Sequence, residues 1–343
     1  MTTPVTSIAI SGLLVLQLVA CGEQAEPIYR HSLVPTNFSN TETVKDRDGY
    51  YITDVFASVD VETVATELRV TSYNTMYGNY PTLTRIGVYV DGNYLTEINP
   101  GAIGENSNEI SFASGAKLIS FVNGPQSRPI STDDPLGTFI VSIEANAPIA
   151  QVGTDHSPRI LVYGDSIAVG DGASPVMRDA WVMRVRGSDL VGAEAWGWRS
   201  LKEDASSAAL LSDLIDSIAD WSPEVVWLAI GTNDYGLNRW SAESFGAAYQ
   251  QLLDGLHDQM PSVDIYCQSP LVRSDERANA AGSTLGDYRA QILSACSTRE
   301  WSTYIDGLSM LSLQDLSDGV HPSSAGHAKY ADYVRAVLDD QLP

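Results

Sequence analysis

Positive charge is scarce in this sequence of 343 residues. It has 20 Lys and Arg against 43 Asp and Glu, which gives a formal net charge of -23 at pH 7. So large a negative charge makes nucleic acid and anionic membrane surfaces poor electrostatic partners. We therefore expect no nucleic-acid partner. The sequence also has no internal repeat and no low-complexity tract.

Cysteine and histidine are also few, with three and five residues. Their spacing matches no metal-binding pattern, so we expect neither a metal site nor a cofactor. Cys267 lies at the end of a predicted strand, and Cys296 lies near the end of the helix that follows. The two residues could form a disulfide in an oxidising compartment, but two buried thiols fit the sequence equally.

A signal-like apolar run occurs at the N-terminus, from Ile8 to Ala20. It has the length of a signal-peptide core and is too short to span a bilayer comfortably. It ends in Leu18-Val19-Ala20-Cys21, which resembles a bacterial lipobox and implies cleavage before Cys21 and lipidation of that residue.

The residues before this run, Met1 to Ser7, contain no Lys or Arg, unlike a usual signal peptide. An ordinary secretory signal and a misplaced start are therefore alternatives to the lipobox. We expect residues 1–21 to be a leader and the protein to be exported, either secreted or held in a bacterial cell envelope. A lipid on Cys21 would then be its only contact with a membrane.

Short β-rich runs fill the sequence from Ile28 to about Ile149, and few stretches there have helical periodicity. Asp91-Gly92-Asn93 is a strong hairpin-turn signal between two of these runs. Several short strands at this spacing predict an all-β sandwich domain of jelly-roll type at residues 22–150. Ala145 to Pro158, with its Pro, Gly and Asp, is the predicted linker.

Residues 151–343 have a different pattern, in which strands and helices alternate. This alternation predicts a parallel sheet covered by helices on both faces. The predicted strands are 159–163, 190–195, 223–230, 263–268 and 303–305, and the predicted helices are 180–186, 205–219, 242–259, 285–296 and 323–338.

Gly164-Asp165-Ser166 ends the first of these strands. Ser166 should therefore lie at the carboxyl edge of the sheet, where open α/β folds bind ligands. Gly231-Thr232-Asn233-Asp234 ends a second buried strand, so a parallel sheet would bring the Asn233 amide to the same edge. There it could donate a hydrogen bond to a developing oxyanion. Taken singly, each motif is a weak signal, because an ordinary turn has the same residues.

Asp318-Gly319-Val320-His321 precedes the last predicted helix. An Asp three residues before a His can hold the Nδ1 atom of the ring and leave Nε2 facing a serine. A serine hydroxyl needs such a base, because unassisted it is a poor nucleophile at neutral pH. A loop His before a helix-starting Pro is the alternative interpretation. The second histidine nearby, His327, is predicted to be structural.

Together these segments resemble the blocks of the SGNH (GDSL-type) hydrolases, a family named for Ser, Gly, Asn and His. The matching residues here are Ser166, Gly197, Asn233 and His321, with Asp318 as the orienting acid. The resemblance implies a flavodoxin-like three-layer domain and a Ser-His-Asp triad. It also implies an oxyanion hole formed by the backbone N–H groups of Ser166 and Gly197 and by the Asn233 side chain. The Asn that often precedes the glycine of the second block is missing here.

An antiparallel sandwich ahead of such a domain resembles the two-domain esterases that deacetylate polysaccharides. We therefore predict a serine esterase for short acyl esters, with an acylated polysaccharide or small molecule as substrate. A lipolytic or aryl esterase, including lysophospholipase or thioesterase activity, is the first alternative, and a non-catalytic glycan-binding surface protein is the second. The candidate substrate contacts, each of which could instead be a packing or ion-pair residue, are Trp196, Trp198, Tyr235, Trp240, Arg199, Arg239 and Arg273.

Overall fold

The computed structural model describes residues 29–31, 45–46, 49–50, 56, 58–74, 85–99, 101, 103–124, 138–152, 158–186, 191–237 and 240–341. The predicted leader with Cys21 lies outside the described residues, and so does Arg239. Within the described part of the chain, no helix is both long and apolar enough to cross a membrane.

Antiparallel sheets occupy the described part of the N-terminal region. Their strands are β1 Tyr29–His31, β2 Lys45–Asp46, β3 Gly49–Tyr50, β4 Ser58–Thr63, β5 Glu67–Asn74, β6 Ile86–Val90, β7 Asn93–Ile98, β8 Gly104–Ser111, β9 Lys117–Asn123, β10 Thr138–Ala145 and β11 Ile149–Val152. One sheet has the order β1-β10-β5-β8, and the other has the order β11-β4-β9-β6-β7. Strands β2 and β3 form a separate pair.

The two larger sheets share one hydrophobic core. Val70 and Ile143 come from one sheet, Val59 and Phe121 come from the other, and all four are buried in the same cluster. Along β5, buried residues alternate with more exposed ones, as a strand with one face on a core requires. The region therefore contains sheets as predicted, while its jelly-roll connectivity stays a prediction.

The hairpin and the linker of this region had different outcomes. Strands β6 and β7 pair across Asp91 and Gly92, whose φ angles of 48° and 78° suit a tight two-residue turn. The predicted linker, in contrast, contains β11, which pairs antiparallel with β4. The expected boundary after residue 150 thus falls inside a strand of the sheet. A four-residue strand beside a proline is too short to show a period of two, so sequence patterning missed it.

The C-terminal region is built on a parallel sheet. Its strands are β12 Ile160–Gly164, β13 Val191–Ala195, β14 Val225–Ala229, β15 Asp264–Gln268 and β16 Ser302–Ile305, and its helices are α1 Val176–Asp179, α2 Trp181–Arg186, α3 Leu201–Asp204, α4 Ala208–Asp220, α5 Thr232–Gly236, α6 Ala242–Gln259, α7 Leu285–Ser297 and α8 Ser324–Gln341. The strand order is β13-β12-β14-β15-β16, with all pairs parallel, which is the order of flavodoxin-like sheets.

Helices cover both faces of this sheet. Val162 and Trp227 point to one face, where they join a core that includes residues of α2 and α8. Leu161 and Leu228 point to the other face, where they meet residues of α4, α6 and α7. Because both faces are covered, the central strands are buried along nearly their whole length. The α/β three-layer fold predicted for this region is confirmed.

The N-terminal region packs against the helices that follow Ser166. Arg186 at the end of α2 donates hydrogen bonds to the Phe56 carbonyl at 2.7 Å and to Ser58 Oγ at 3.0 Å. The Phe56 side chain is buried in the same core as α2 and α8. Burial lowers the pKa of the Arg186 guanidinium. These contacts join the two regions through buried polar and apolar groups.

Candidate active site

Ser166 lies in a series of tight turns directly after β12. A Cβ added to Gly164 would come within 2.6 Å of Ala168 Cβ, so the turn can fold back over the strand end only because residue 164 is a glycine. The Asp171 N–H donates to the Ser166 carbonyl at 2.9 Å and closes the turn. The structure thus places Ser166 at the carboxyl edge of the sheet.

His321 reaches Ser166 from the loop before α8. The Ser166 Oγ atom lies 2.9 Å from His321 Nε2, and Nδ1 of the same ring lies 2.7 Å from Asp318 Oδ2. The other Asp318 oxygen accepts hydrogen bonds from the backbone N–H groups of Val320 and His321, at 2.9 and 2.8 Å. The three side chains form one continuous hydrogen-bonded chain.

The charge on Asp318 determines which ring nitrogen carries the proton. Burial alone would raise the pKa of Asp318, but hydrogen bonds from the His321 ring and from the backbone N–H groups lower it to about 2. An ionised Asp318 accepts a hydrogen bond from Nδ1–H of His321. Nε2 is then free to accept the Ser166 hydroxyl proton, as a general base must.

Asn233 follows β14, the strand beside β12, but it lies on an unexpected element. It is in the first turn of the short helix α5, whereas the sequence predicted a turn after the strand. Its Nδ2 atom donates to the Arg199 carbonyl at 3.0 Å. A side-chain amide has two N–H groups, so the second remains available to an oxyanion.

The backbone donors predicted beside Asn233 are also unoccupied. Among the described residues, no acceptor is bonded to the N–H of Ser166 or of Gly197. Gly197 follows β13, the strand next to β12, and a Cβ added there would meet no heavy atom within 4 Å. Open space at Gly197 is what the approach of a substrate to these donors requires.

A buried ionic network holds the segment that contains Gly197. The Arg199 guanidinium donates to Asp204 at 2.8 Å and lies 3.5 Å from the centre of the Trp196 ring. Asp234 accepts hydrogen bonds from the backbone N–H groups of Leu201 and Lys202, at 3.1 and 2.9 Å. The network therefore fixes Gly197 and Asn233 relative to each other.

Sequence reasoning anticipated only part of this supporting role. Arg199 was expected to meet an anionic substrate or to pair with local acids, and the structure gives the second outcome, because Arg199 is only 3% exposed. The position of Asp234 directly after Asn233 was the available signal for its role. No local pattern pointed to Asp204.

The predicted substrate contacts divide into two groups. Trp198 is 65% exposed. Trp196 instead stacks on Arg199, and Trp240 is half-buried against the core under α6 and α7. Trp198 is therefore the tryptophan of this set that is open to a ligand.

Tyr235 and Arg273 have structural roles in place of the predicted substrate contacts. The Tyr235 side chain is buried, with its hydroxyl 2.6 Å from the Asp275 carbonyl. Arg273 donates to both carboxylate oxygens of Asp275, at 2.8 and 2.9 Å, and to the Thr232 carbonyl. These bonds tie the loop after β15 to α5, so both side chains support the loop structure.

The remaining predicted residues have plain outcomes. His327 is fully buried, and burial lowers its pKa to about 4, in line with a structural role. Cys267 and Cys296 are buried free thiols, the second of the two alternatives that the sequence left open. In the part of the chain that the structure describes, no group of three or more His, Cys, Asp or Glu could hold a metal ion.

A serine, a histidine and a carboxylate joined in this order, beside free N–H donors, form the arrangement of a serine hydrolase. Residues 162–329 match the family model of the GDSL-like lipase/acylhydrolase family. Residues 162–329 are therefore a domain of that family, and the protein is a carboxylic ester hydrolase. The comparison with curated proteins finds no match.

Several solved structures share the fold over almost the whole chain. The salicylyl-acyltransferase SsfX3 from a tetracycline biosynthetic pathway is 16% identical, with a TM-score of 0.73, over 93% of this chain and 99% of that one. A family two carbohydrate esterase from Cellvibrio japonicus is 16% identical, with a TM-score of 0.66, over 91% and 98%. The acetyl xylan esterase Est2A from Butyrivibrio proteoclasticus is 13% identical, with a TM-score of 0.67, over 92% and 98%.

Replacement of Asn233 by Ala should lower kcat for ester hydrolysis by about 10²–10³-fold with little change in KM, because the lost donor acts mainly in the transition state. Asn233→Asp keeps the size of the side chain but replaces its donors with an anion, so its loss of kcat should be larger. Steady-state kinetics on a short aryl ester measures both effects. A change confined to KM would show that Asn233 binds substrate or shapes the turn instead.

Asp165, next to Ser166, should make stability depend on pH. Burial raises its pKa to about 7, although a hydrogen bond from the Ile167 N–H acts to lower it. Between pH ~4 and pH ~7 the folded state therefore holds a proton that the unfolded state has lost, so this group makes the free energy of unfolding fall as pH rises. The shift of this pKa from 3.8 to about 7 lowers the free energy of unfolding by about 4 kcal/mol above pH ~7, compared with its value at pH ~4.

We therefore expect Asp165→Asn to be more stable than wild type at pH ~8 and the difference to disappear as pH falls to ~4. Denaturant unfolding across this range measures it. Asp264→Asn, which removes an exposed carboxyl group, is the matched control. Parallel stability curves for wild type and Asp165→Asn would contradict the buried, protonatable state of Asp165.

Proposed function

We propose that the protein removes acetyl or other short acyl groups from a polysaccharide, with Ser166 as nucleophile. The exposure of Trp198 is the observation that best supports a polysaccharide substrate. Its ring is 65% exposed and directly follows Gly197, the predicted oxyanion donor. An exposed aromatic face at this place suits the apolar face of a sugar ring.

The backbone of Trp198 supports a role in binding. Its φ of 67° lies in the left-handed region, which costs on the order of 1 kcal/mol for a residue with a bulky side chain. The buried Arg199 network holds the residues on either side, so the strain is maintained by the surrounding structure. Strain of this kind concentrates at ligand sites, where it fixes a side chain in advance of binding.

The chemistry follows from the hydrogen-bonded chain. His321 Nε2 accepts the Ser166 proton as Oγ attacks the ester carbonyl, and the oxyanion is stabilised by the N–H groups of Ser166, Gly197 and Asn233. The same Nε2 then returns the proton to the departing alcohol oxygen, and an acyl-serine remains. Water releases the acid by the same steps in the second half of the reaction, while Asp318 stays ionised throughout.

The similar structures support the carbohydrate substrate. Two of them are a carbohydrate esterase and an acetyl xylan esterase, and each covers more than 90% of this chain, including its N-terminal sheets. The predicted leader with Cys21 fits the same proposal, because a polysaccharide outside the cell is reached by an exported enzyme.

Trp198→Ala should lower kcat/KM for acetate release from an acetylated polysaccharide by about 10-fold or more, and much less for p-nitrophenyl acetate. Remote contacts with a polymer contribute binding energy to the transition state, whereas the aryl ester lacks most of them. Trp198→Phe should retain part of the polymer activity. Leu210→Ala, which removes another exposed apolar side chain, is the matched control.

Two results would contradict this proposal. Equal losses on polymer and aryl acetate would mean that Trp198 only supports the site. A wild-type preference for p-nitrophenyl octanoate over the acetate would favour a lipolytic esterase of the same mechanism.

A further inference from the structure

We propose that Asp171 selects the alcohol part of the ester: its carboxylate favours esters with a free hydroxyl next to the acylated oxygen and disfavours esters of acidic alcohols. This inference rests on the proposed function, because it names the substrate class of the same site. It assigns a role to a residue that lies outside the triad and the oxyanion hole.

The position of Asp171 places it beside the leaving alcohol. Asp171 Oδ2 lies 4.0 Å from His321 Nε2, and Ser166 Oγ lies 2.9 Å from the same atom. Nε2 must return its proton to the alcohol oxygen, so that oxygen has to come within about 3 Å of Nε2. Substituents on the neighbouring carbon of the alcohol therefore come within reach of the Asp171 carboxylate.

The backbone of Asp171 is fixed at both of its polar groups. Its N–H donates to the Ser166 carbonyl at 2.9 Å, and its carbonyl accepts a hydrogen bond from Nε2 of the buried His327 at 3.0 Å. The next residue, Gly172, has a φ of +92°, and a Cβ added there would lie 2.2 Å from the Pro322 carbonyl oxygen. The Asp171 loop is thus packed directly on the His321 loop, and the carboxylate projects from a rigid base.

The oxygen atoms of the Asp171 carboxylate are free to accept a hydrogen bond from a substrate. Among the described residues, none donates a hydrogen bond to the Asp171 side chain and no Lys or Arg forms an ion pair with it. The side chain is 35% exposed, so a ligand can reach it. The titratable groups that interact with it electrostatically are His321, Asp318 and the buried Asp165.

Burial raises the pKa of Asp171, and the facing Asp318 raises it further, whereas His321 opposes the shift. The test is therefore made at pH ~8, well above the ordinary range of carboxyl pKa values. At that pH a carboxylate accepts a strong hydrogen bond from a hydroxyl group and repels a second carboxylate.

The class of ester that Asp171 recognises follows from the hydrogen bonding and the charge of its carboxylate. A sugar ring that carries one acyl group beside a free hydroxyl offers the donor that Asp171 lacks in the free protein. A ring acylated at both positions offers no donor. A uronate brings a like charge towards the Asp171 carboxylate, with which no Lys or Arg of the described residues forms an ion pair.

Three small acetates isolate the effect without a polymer. These are 2-hydroxyethyl acetate, propyl acetate, which has a methyl group in place of the hydroxyl, and acetoxyacetate, which carries a carboxylate in the alcohol part. For the wild type at pH ~8, we expect kcat/KM to be about 10-fold higher for the hydroxyethyl ester than for the propyl ester, and lowest for acetoxyacetate.

Asp171→Ala should bring the ratio of kcat/KM for the hydroxyethyl ester to kcat/KM for the propyl ester close to one. The change should come mainly from a lower kcat/KM for the hydroxyethyl ester. Asp171→Asn keeps an acceptor oxygen but no charge, so it should retain part of that ratio and raise kcat/KM for acetoxyacetate by about 10-fold. Asp264→Asn, an exposed carboxyl on β15, should leave all three values unchanged. Thermal unfolding of each variant shows that it is folded.

If Asp171→Ala leaves the ratio of kcat/KM for the hydroxyethyl and propyl esters unchanged, the inference is overturned. Equal losses of kcat/KM on all three esters would also overturn it, because they would show that Asp171 only supports His321. Wild-type hydrolysis of the propyl and hydroxyethyl esters at equal rates would also overturn it, while leaving the proposed esterase intact. A wild type inactive on all acetates, including acetylated polysaccharide, would instead overturn the proposed function.

Discussion

The hydrogen bond between Ser166 and His321 is the interaction on which the rest of the site depends. It is 2.9 Å long and joins residues 155 positions apart in the chain. Such a bond forms only because the parallel sheet brings the end of β12 close to the loop before α8. The two loops are then packed together through Gly172, where any side chain would meet the Pro322 carbonyl.

The acidic residues around this bond are in two electrostatic states. Asp318 is held ionised by hydrogen bonds, with a pKa of about 2, so it can stabilise the imidazolium formed when His321 takes the Ser166 proton. Burial raises the pKa of Asp165 to about 7 and that of Asp234 to about 6. Of these three acids, Asp318 therefore stays ionised down to the lowest pH, while the deeper Asp165 and Asp234 accept hydrogen bonds from backbone N–H groups.

Sequence patterning was sufficient for elements that are long or buried on both faces. Helix α6 begins and ends at the predicted residues, and each strand of the parallel sheet lies within about two residues of its predicted bounds. Short elements that are not part of a continuous buried apolar run, such as β11 and α5, show no measurable period and were missed. The buried pairing of Arg199 with Asp204 and the position of Asp171 depend on tertiary contacts, which no local pattern encodes.

The central claim is that Ser166 is the nucleophile and that His321 activates it. The most direct measurement is mass spectrometry of the protein after reaction with a fluorophosphonate, which bonds covalently to activated serines. We expect one adduct in wild type, on the peptide that contains Ser166, none in Ser166→Ala, and much slower labelling in His321→Ala. An adduct on another serine together with full ester hydrolysis by Ser166→Ala would contradict the account.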